Sequence, residues 1–201
     1  MRQGSIWMFL GGLLLSLAAV LTIYNINEAD AAWEQSHQAA QVLQEEIVEF
    51  QEIVVNDVPD YQVVPDMEMP AIEIDGERYV GMLSIPALEL ELPILEEWTD
   101  AGLKKAPCRY VGSVYADNLV IVGHNYRKHF SKLKTLETGT EINFTDADGN
   151  LFQYTIGWVE VLGENDISGM TDASEWDLTL FTCTYGGKER YTVRCIRTEE
   201  I

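Results

Sequence analysis

LTLFTCTYGGKERYTVRCIR, residues 178–197, reads as two apolar strands on either side of a glycine-rich turn at Gly186 and Gly187. Side chains alternate faces along a strand, so Arg190, Thr192 and Arg194 share one face of the second strand and Arg197 falls on the other. Cys183 closes the first strand, where a thiol is held rigidly yet reached from a loop. Working outward, NLVIVG (118–123), EINFT (141–145), LFQYTIG (151–157) and WVEVL (158–162) have the same strand-like composition, and DADGN (146–150) is a strong hairpin turn. Further upstream, residues 72–95 alternate apolar and polar side chains at Leu88, Leu90 and Leu92, punctuated by Pro86 and Pro93.

These segments make about eight strands in roughly 130 residues, with short helical signals only at 101–105 and 132–136. The expected fold is mostly β: a closed or nearly closed, antiparallel-rich eight-stranded barrel over residues 71–201.

The front of the chain has a different period. Residues 6–24, IWMFLGGLLLSLAAVLTIY, carry no charge, and a helix of about 19 residues crosses a hydrocarbon core of about 30 Å. Arg2 precedes this run whereas Glu28, Asp30 and Glu34 follow it, which predicts a cytoplasmic N-terminus with the remainder outside the cell. An uncleaved single-pass anchor (1–26) is favoured over a signal peptide because the run is longer than a usual h-region. Between 27 and 55, Ala32, Trp33, Ala39, Ala40, Val42, Leu43, Ile47, Val48 and Phe50 form an apolar helical stripe on an acidic background. Asn56, Asp57 and Pro59 should end that helix, and residues 56–70 read as an unpacked, proline-containing acidic linker. The 27–70 segment is expected to be a spacer, with a lid over the active site as the alternative.

The 201 residues suffice for one ordinary domain plus an anchor, not for two catalytic domains. A formal charge of -20 argues against binding a nucleic-acid phosphate backbone, so no nucleic-acid partner is expected. Three cysteines, Cys108, Cys183 and Cys195, leave at least one thiol unpaired within the chain. Neither CxxC nor EF-hand spacing occurs, and no metal or cofactor is expected.

Three side chains carry the chemistry. An isolated cysteine is ordinarily a small buried hydrophobe, but Cys183 stands at a strand end before a turn. His124 closes the 118–123 strand and leads into a polar, aromatic loop, Asn125 to Phe130; imidazole can take a proton from a thiol and hand it to a leaving amine. A guanidinium beside a cysteine can hold the oxyanion of acyl transfer, and either Arg190 or Arg194 is available for that role. His37 and His129 lack a strand-end setting.

From about Val80 to Arg197 the chain resembles the sortases, transpeptidases of Gram-positive bacterial surfaces. Thr179-Leu180-Phe181-Thr182-Cys183 matches the TLxTC signature, Gly123-His124 after an apolar strand matches the family's histidine, and Arg190 before an apolar strand matches its arginine. Met82 to Pro93 looks like the first barrel strands. The resemblance implies Cys183 as nucleophile, His124 as acid/base and Arg190 as oxyanion stabiliser, with Arg194 as its rival. It further implies Thr182, Asn125, Tyr126 and Arg194 as substrate-binding side chains, and Cys108 and Cys195 as packing residues. The motifs do not settle a class; class B-like and class D-like forms are the expected kinds. The implied partners are secreted proteins with a C-terminal sorting signal, an amine acceptor from peptidoglycan precursor or pilin, and the membrane. A membrane-tethered cysteine hydrolase and a non-catalytic β-domain remain as alternatives.

Overall fold

The computed structural model describes residues 2–53, 58–64 and 66–198. Nine strands follow the change of period after the acidic segment: β1 (Ile72–Ile74), β2 (Glu77–Ile85), β3 (Leu90–Leu95), β4 (Cys108–Val111), β5 (Leu119–Val122), β6 (Glu141–Asp146), β7 (Leu151–Gly163), β8 (Leu178–Cys183) and β9 (Glu189–Arg197). They run in the order β1-β2-β3-β4-β5-β8-β9-β7-β6, and β6 pairs back onto β2, so β2 to β9 close an eight-stranded barrel with β1 added outside it.

Closure requires β2 to pair with β3 and β6 at once, and Gly81 stands where both pairings meet. Its φ is +153°, and a Cβ there would lie 2.2 Å from the Thr145 carbonyl oxygen, so only glycine lets the backbones approach this closely. Alternating side chains fill the interior: Leu83, Ile85, Leu92, Ile94, Leu119, Ile121, Phe144, Leu180 and Val193 are all completely buried. Full burial of each such side chain stabilises the fold by about 1.5–3 kcal/mol.

The two segments expected as separate strands, 151–157 and 158–162, are one 13-residue strand, β7, which pairs with β9 through a bulge between Ile156 and Trp158. The bulge is the irregularity that makes the sequence look like two strands. β4 has only four residues, too few to show a period. The expected short helices are α3 (Asp100–Leu103), capped by Thr99 Oγ1, which accepts from the Gly102 amide at 2.8 Å, and a 3-10 segment at Phe130–Thr135. A further turn, α4 (Ile167–Met170), was not foreseen.

The N-terminal part is one helix, α1 (Arg2–Ile53), 52 residues long. Its apolar run from Ile6 to Tyr24 is exposed throughout. From Ala32 onward one stripe is buried: Ala32, Ser36, Ala39, Ala40, Leu43 and Ile47, spaced three or four residues apart. That stripe packs with Ile74, Tyr79, Met82 and Leu95 on the outside of the barrel. The helix therefore docks on the barrel rather than standing free as a spacer.

The expectation of an unpacked linker is corrected in its described part. A helical turn, α2 (Asp60–Val63), seats Tyr61 on Tyr115 with ring centroids 5.0 Å apart and planes within 2°, and Met69 is buried at the edge of the core. Large apolar side chains among the prolines and acids gain more by burial than the segment loses by ordering. The expected helix end at Asn56 and Asp57, with Pro65 and the last residues 199–201, lies outside the described residues.

Candidate active site

β5, β8 and β9 are neighbours, and all three expected residues fall at one end of this trio. Parallel β5 and β8 pair Val122 with Phe181, and the Gly123 amide donates to the Phe181 carbonyl at 3.1 Å, which puts His124 level with Cys183. Antiparallel β8 and β9 pair Cys183 with Arg190. Leu119, Ile121, Leu178, Leu180 and Val193 fill the interior whereas Val120, Val122 and Phe181 belong to the outer cluster, so alternation puts His124, Cys183 and Arg190 on the outer face. With strands about 4.8 Å apart, the three residues occupy one row spanning roughly 10 Å.

The loop after β5 is built on Phe130, which is completely buried and whose amide donates to the His124 carbonyl at 3.2 Å. A Cβ at residue 123 would sit 2.5 Å from the Phe130 ring, so a glycine is needed immediately before the histidine. The His124 ring lies 4.7 Å from that of Tyr126. Burial is the main reason the His124 pKa is lowered from its ordinary value; Lys104 adds to the lowering, while Glu28 and Asp100 oppose it. The imidazole is therefore mostly neutral at pH 7 and able to accept a proton. Burial first, and then the Glu28 carboxylate beside its hydroxyl, push Tyr126 up to about 12. Glu28 also pairs with Lys104 at 3.5 Å. Neither Glu28 nor Lys104 was expected at this site, because the packing of α1 on the barrel brings them there and no local motif marks it.

Arg190 is half-buried, and its Nη1 donates to the carbonyls of Gly187 at 2.8 Å and Glu189 at 3.2 Å. Among the described residues its Nε and Nη2 have no protein partner. The turn that holds it needs two residues of positive φ in succession, Gly186 at +98° and Gly187 at +73°.

Two of the four side chains expected to touch substrate do not reach this row. Arg194 is 2% exposed beneath α4; its Nε donates to Glu160 Oε1 at 2.9 Å, its Nη1 to Thr179 Oγ1 at 3.0 Å and its Nη2 to the Gly169 carbonyl at 2.6 Å. Thr182 turns to the barrel interior opposite Tyr191 and is buried, with its hydroxyl unpartnered among the described residues. Asn125 and Tyr126 flank His124 and are partly exposed. Cys108 and Cys195 are buried free thiols, and burial pushes Cys108 up to about 12 and raises Cys195 as well, which suits packing residues. No group of three or more His, Cys, Asp or Glu side chains able to hold a metal occurs among the described residues.

Known proteins are similar to this chain in sequence and in fold. A family model described as the sortase domain matches residues 83–198. The chain is 26% identical to Sortase A of Bacillus anthracis over 205 residues, covering 96% of this chain and 95% of that protein. Sortase A of Listeria monocytogenes is 24% identical over 118 residues, 56% of this chain and 53% of that protein. Among solved structures, a Clostridium perfringens Sortase D5 transpeptidase has a TM-score of 0.58 at 21% identity, covering 79% of this chain and 99% of that one. Sortase C1 of GBS Pilus Island 1 has a TM-score of 0.60 at 18% identity, covering 83% and 93%. The structural likenesses carry the fold, and the family model, which spans more than half of the sequence, carries the assignment: the chain belongs to the sortase family, a family of transpeptidases.

Proposed function

We propose that this chain is a cysteine transpeptidase that cleaves a C-terminal sorting motif of secreted proteins and joins the product to an amine of the cell wall or of a pilin. The observation that carries the reading is the row of Cys183, His124 and Arg190 at the ends of three adjacent strands, on a face open to solvent. His124 takes the thiol proton as the Cys183 sulfur attacks the scissile carbonyl carbon, and the oxyanion that forms is met by the Arg190 guanidinium. His124 delivers a proton to the departing amine, leaving a thioester on Cys183. The acceptor amine then attacks the thioester, His124 takes its excess proton, and the thiol is restored as the new amide forms. Asn125 and Tyr126 border the histidine and are the side chains we assign to substrate contact. Arg194 is assigned to the scaffold, since its donors are already taken.

The exposed apolar run from Ile6 to Tyr24 supports a single-pass anchor, and the acids that follow it support a cytoplasmic N-terminus with the barrel outside. The named relatives belong to classes A, C and D, and the reading stays with the chemistry they share.

Mass spectrometry of the chain incubated with LPxTG-like and NPxTx-like peptides, with and without triglycine or a diamino acid, tests the assignment. A thioacyl adduct on Cys183 that amine resolves to a new amide is the expected result. Cleavage that ignores the amine would make the protein a hydrolase, and no adduct with any peptide would sink the catalytic reading.

A further inference from the structure

The docked helix fixes which side of the barrel faces the bilayer. Tyr24 ends the apolar run, and packing on the barrel begins at Glu28, about 6 Å further along an unbroken helix. What Glu28 meets there is the catalytic rim: Lys104 in an ion pair, and Tyr126 beside His124. Trp33, about 14 Å beyond Tyr24, lies under Lys128, whose Nζ is 4.9 Å from the ring centroid. The far pole of the barrel is equally well marked. Glu46 and Glu49, about 27 Å and more beyond Glu28, border Ala147 and Asp148 at the turn between β6 and β7.

Charge follows the same axis. The chain has 13 Lys and Arg against 33 Asp and Glu, and residues 104–134 hold seven of those cations (Lys104, Lys105, Arg109, Arg127, Lys128, Lys132 and Lys134) with Asp117 as their single acid. Arg127, Lys128, Lys132 and Lys134 are exposed, and none pairs with a carboxylate among the described residues. The net charge of -20 is repelled by an anionic membrane, whereas these four exposed cations are attracted to it.

Resting on the anchor reading above, we propose that the loop after β5, through Arg127 and Lys128, is a docking surface for anionic lipid headgroups of the bilayer that holds α1. The catalytic row thereby opens at the membrane surface and acts on peptides and acceptors presented there. The occupant is the headgroup layer because the helix delivers these cations to within about 15 Å of the end of the span. Arg127 and Lys128 are attracted to an anionic surface at this distance from the span.

The test uses the full chain in lipid nanodiscs on a Cys183→Ala background, where the remaining Cys108 and Cys195 are buried. A donor fluorophore is placed at Ser131→Cys, which leaves Arg127 and Lys128 in place, or at Asp148→Cys, with an acceptor on the lipid headgroups. Transfer from position 131 should exceed that from position 148 several-fold. It should rise further in phosphatidylglycerol discs over phosphatidylcholine discs, and Arg127→Glu should abolish that rise. Equal transfer from the two positions overturns the proposal, and so does a large difference indifferent to lipid charge. A chain that does not float with vesicles removes the anchor reading and this one together. Peptide cleavage by the Cys183-bearing chain is measured separately, so a failure of the catalytic reading leaves these outcomes unchanged.

Discussion

Arg190 and Arg194 sit on one face of one strand, four residues apart, yet their surroundings are opposite. Arg190 lies at the open end of β9, opposite Cys183, with two of its nitrogens unpartnered among the described residues. Arg194 is covered by α4, and each guanidinium nitrogen has a partner. The two histidines of the loop after β5 repeat the contrast. His124 is half-buried at the rim, whereas His129, five residues on, is 1% exposed. Residue type and spacing thus mark both members of each pair, and what covers the strand or loop decides which of them can meet a substrate.

The most severe challenge to that contrast is to remove the thiol we assign as nucleophile, between the two rim residues. Cys183→Ala should abolish the thioacyl adduct completely while the barrel keeps its melting temperature to within a few degrees, since the side chain is only partly buried. An adduct that persists, on Cys108 or Cys195, would show that burial does not silence the other thiols.

Arg190→Ala should lower kcat/KM by about 10²–10³, equal to roughly 2.7–4 kcal/mol of transition-state stabilisation, with little change in stability. Arg190→Lys should recover only part of the loss, because an ammonium cannot present the planar pair of donors. Steady-state kinetics beside a thermal melt decides between roles; lost stability with unchanged turnover per folded molecule would make Arg190 structural.

For Arg194 the outcome should be the reverse. Arg194→Met removes the bonds to Glu160, Thr179 and the Gly169 and Met170 carbonyls, and should cost about 2–3 kcal/mol of stability, since buried acceptors lose their donor. Glu160 is 32% exposed and can recover water, which keeps the cost below that of orphaning a fully buried charge. Turnover per folded molecule, measured at a temperature where the variant is folded, should match the parent. A hundredfold drop there would return the catalytic role to Arg194.

Most of the barrel was legible in the sequence because short strands between turn signals are a local pattern. Apolar or alternating runs marked β2, β3, β5, β6, β8 and β9, strand ends marked Cys183 and His124, and only the family resemblance singled out Arg190 over Arg194. The faces of β9 were also legible, since a period of two separates Arg194 from Cys195. Burial of Arg194 was not, because α4 is four residues long and nothing in Ile167–Met170 shows which strand it will cover. Thr182 was misread for a related reason: its place in the signature suggested contact with substrate, whereas strand alternation turns it inward beside Cys183. The contribution of Glu28 depends on a helix packing against strands far away in sequence, and composition cannot supply that pairing.

The histidine pair carries the smallest effect, and pH separates its members. Burial, reinforced by His124, lowers His129 from the ordinary value to about 4, and both of its ring nitrogens lack partners among the described residues. A histidine whose folded pKa is depressed binds its proton more readily in the unfolded chain, so stability falls as pH drops below about 6.5 and the loss is complete once pH passes below about 4. At pH 5.5 the cost should be about 1.4 kcal/mol relative to pH 8. His129→Leu should remove that slope from denaturant melts between pH 8 and 4 while leaving the cysteine adduct intact, whereas His124→Ala should leave most of the slope and prevent turnover. The same slope in His129→Leu as in the parent would place the acid-sensitive group elsewhere and end the parallel between the two pairs.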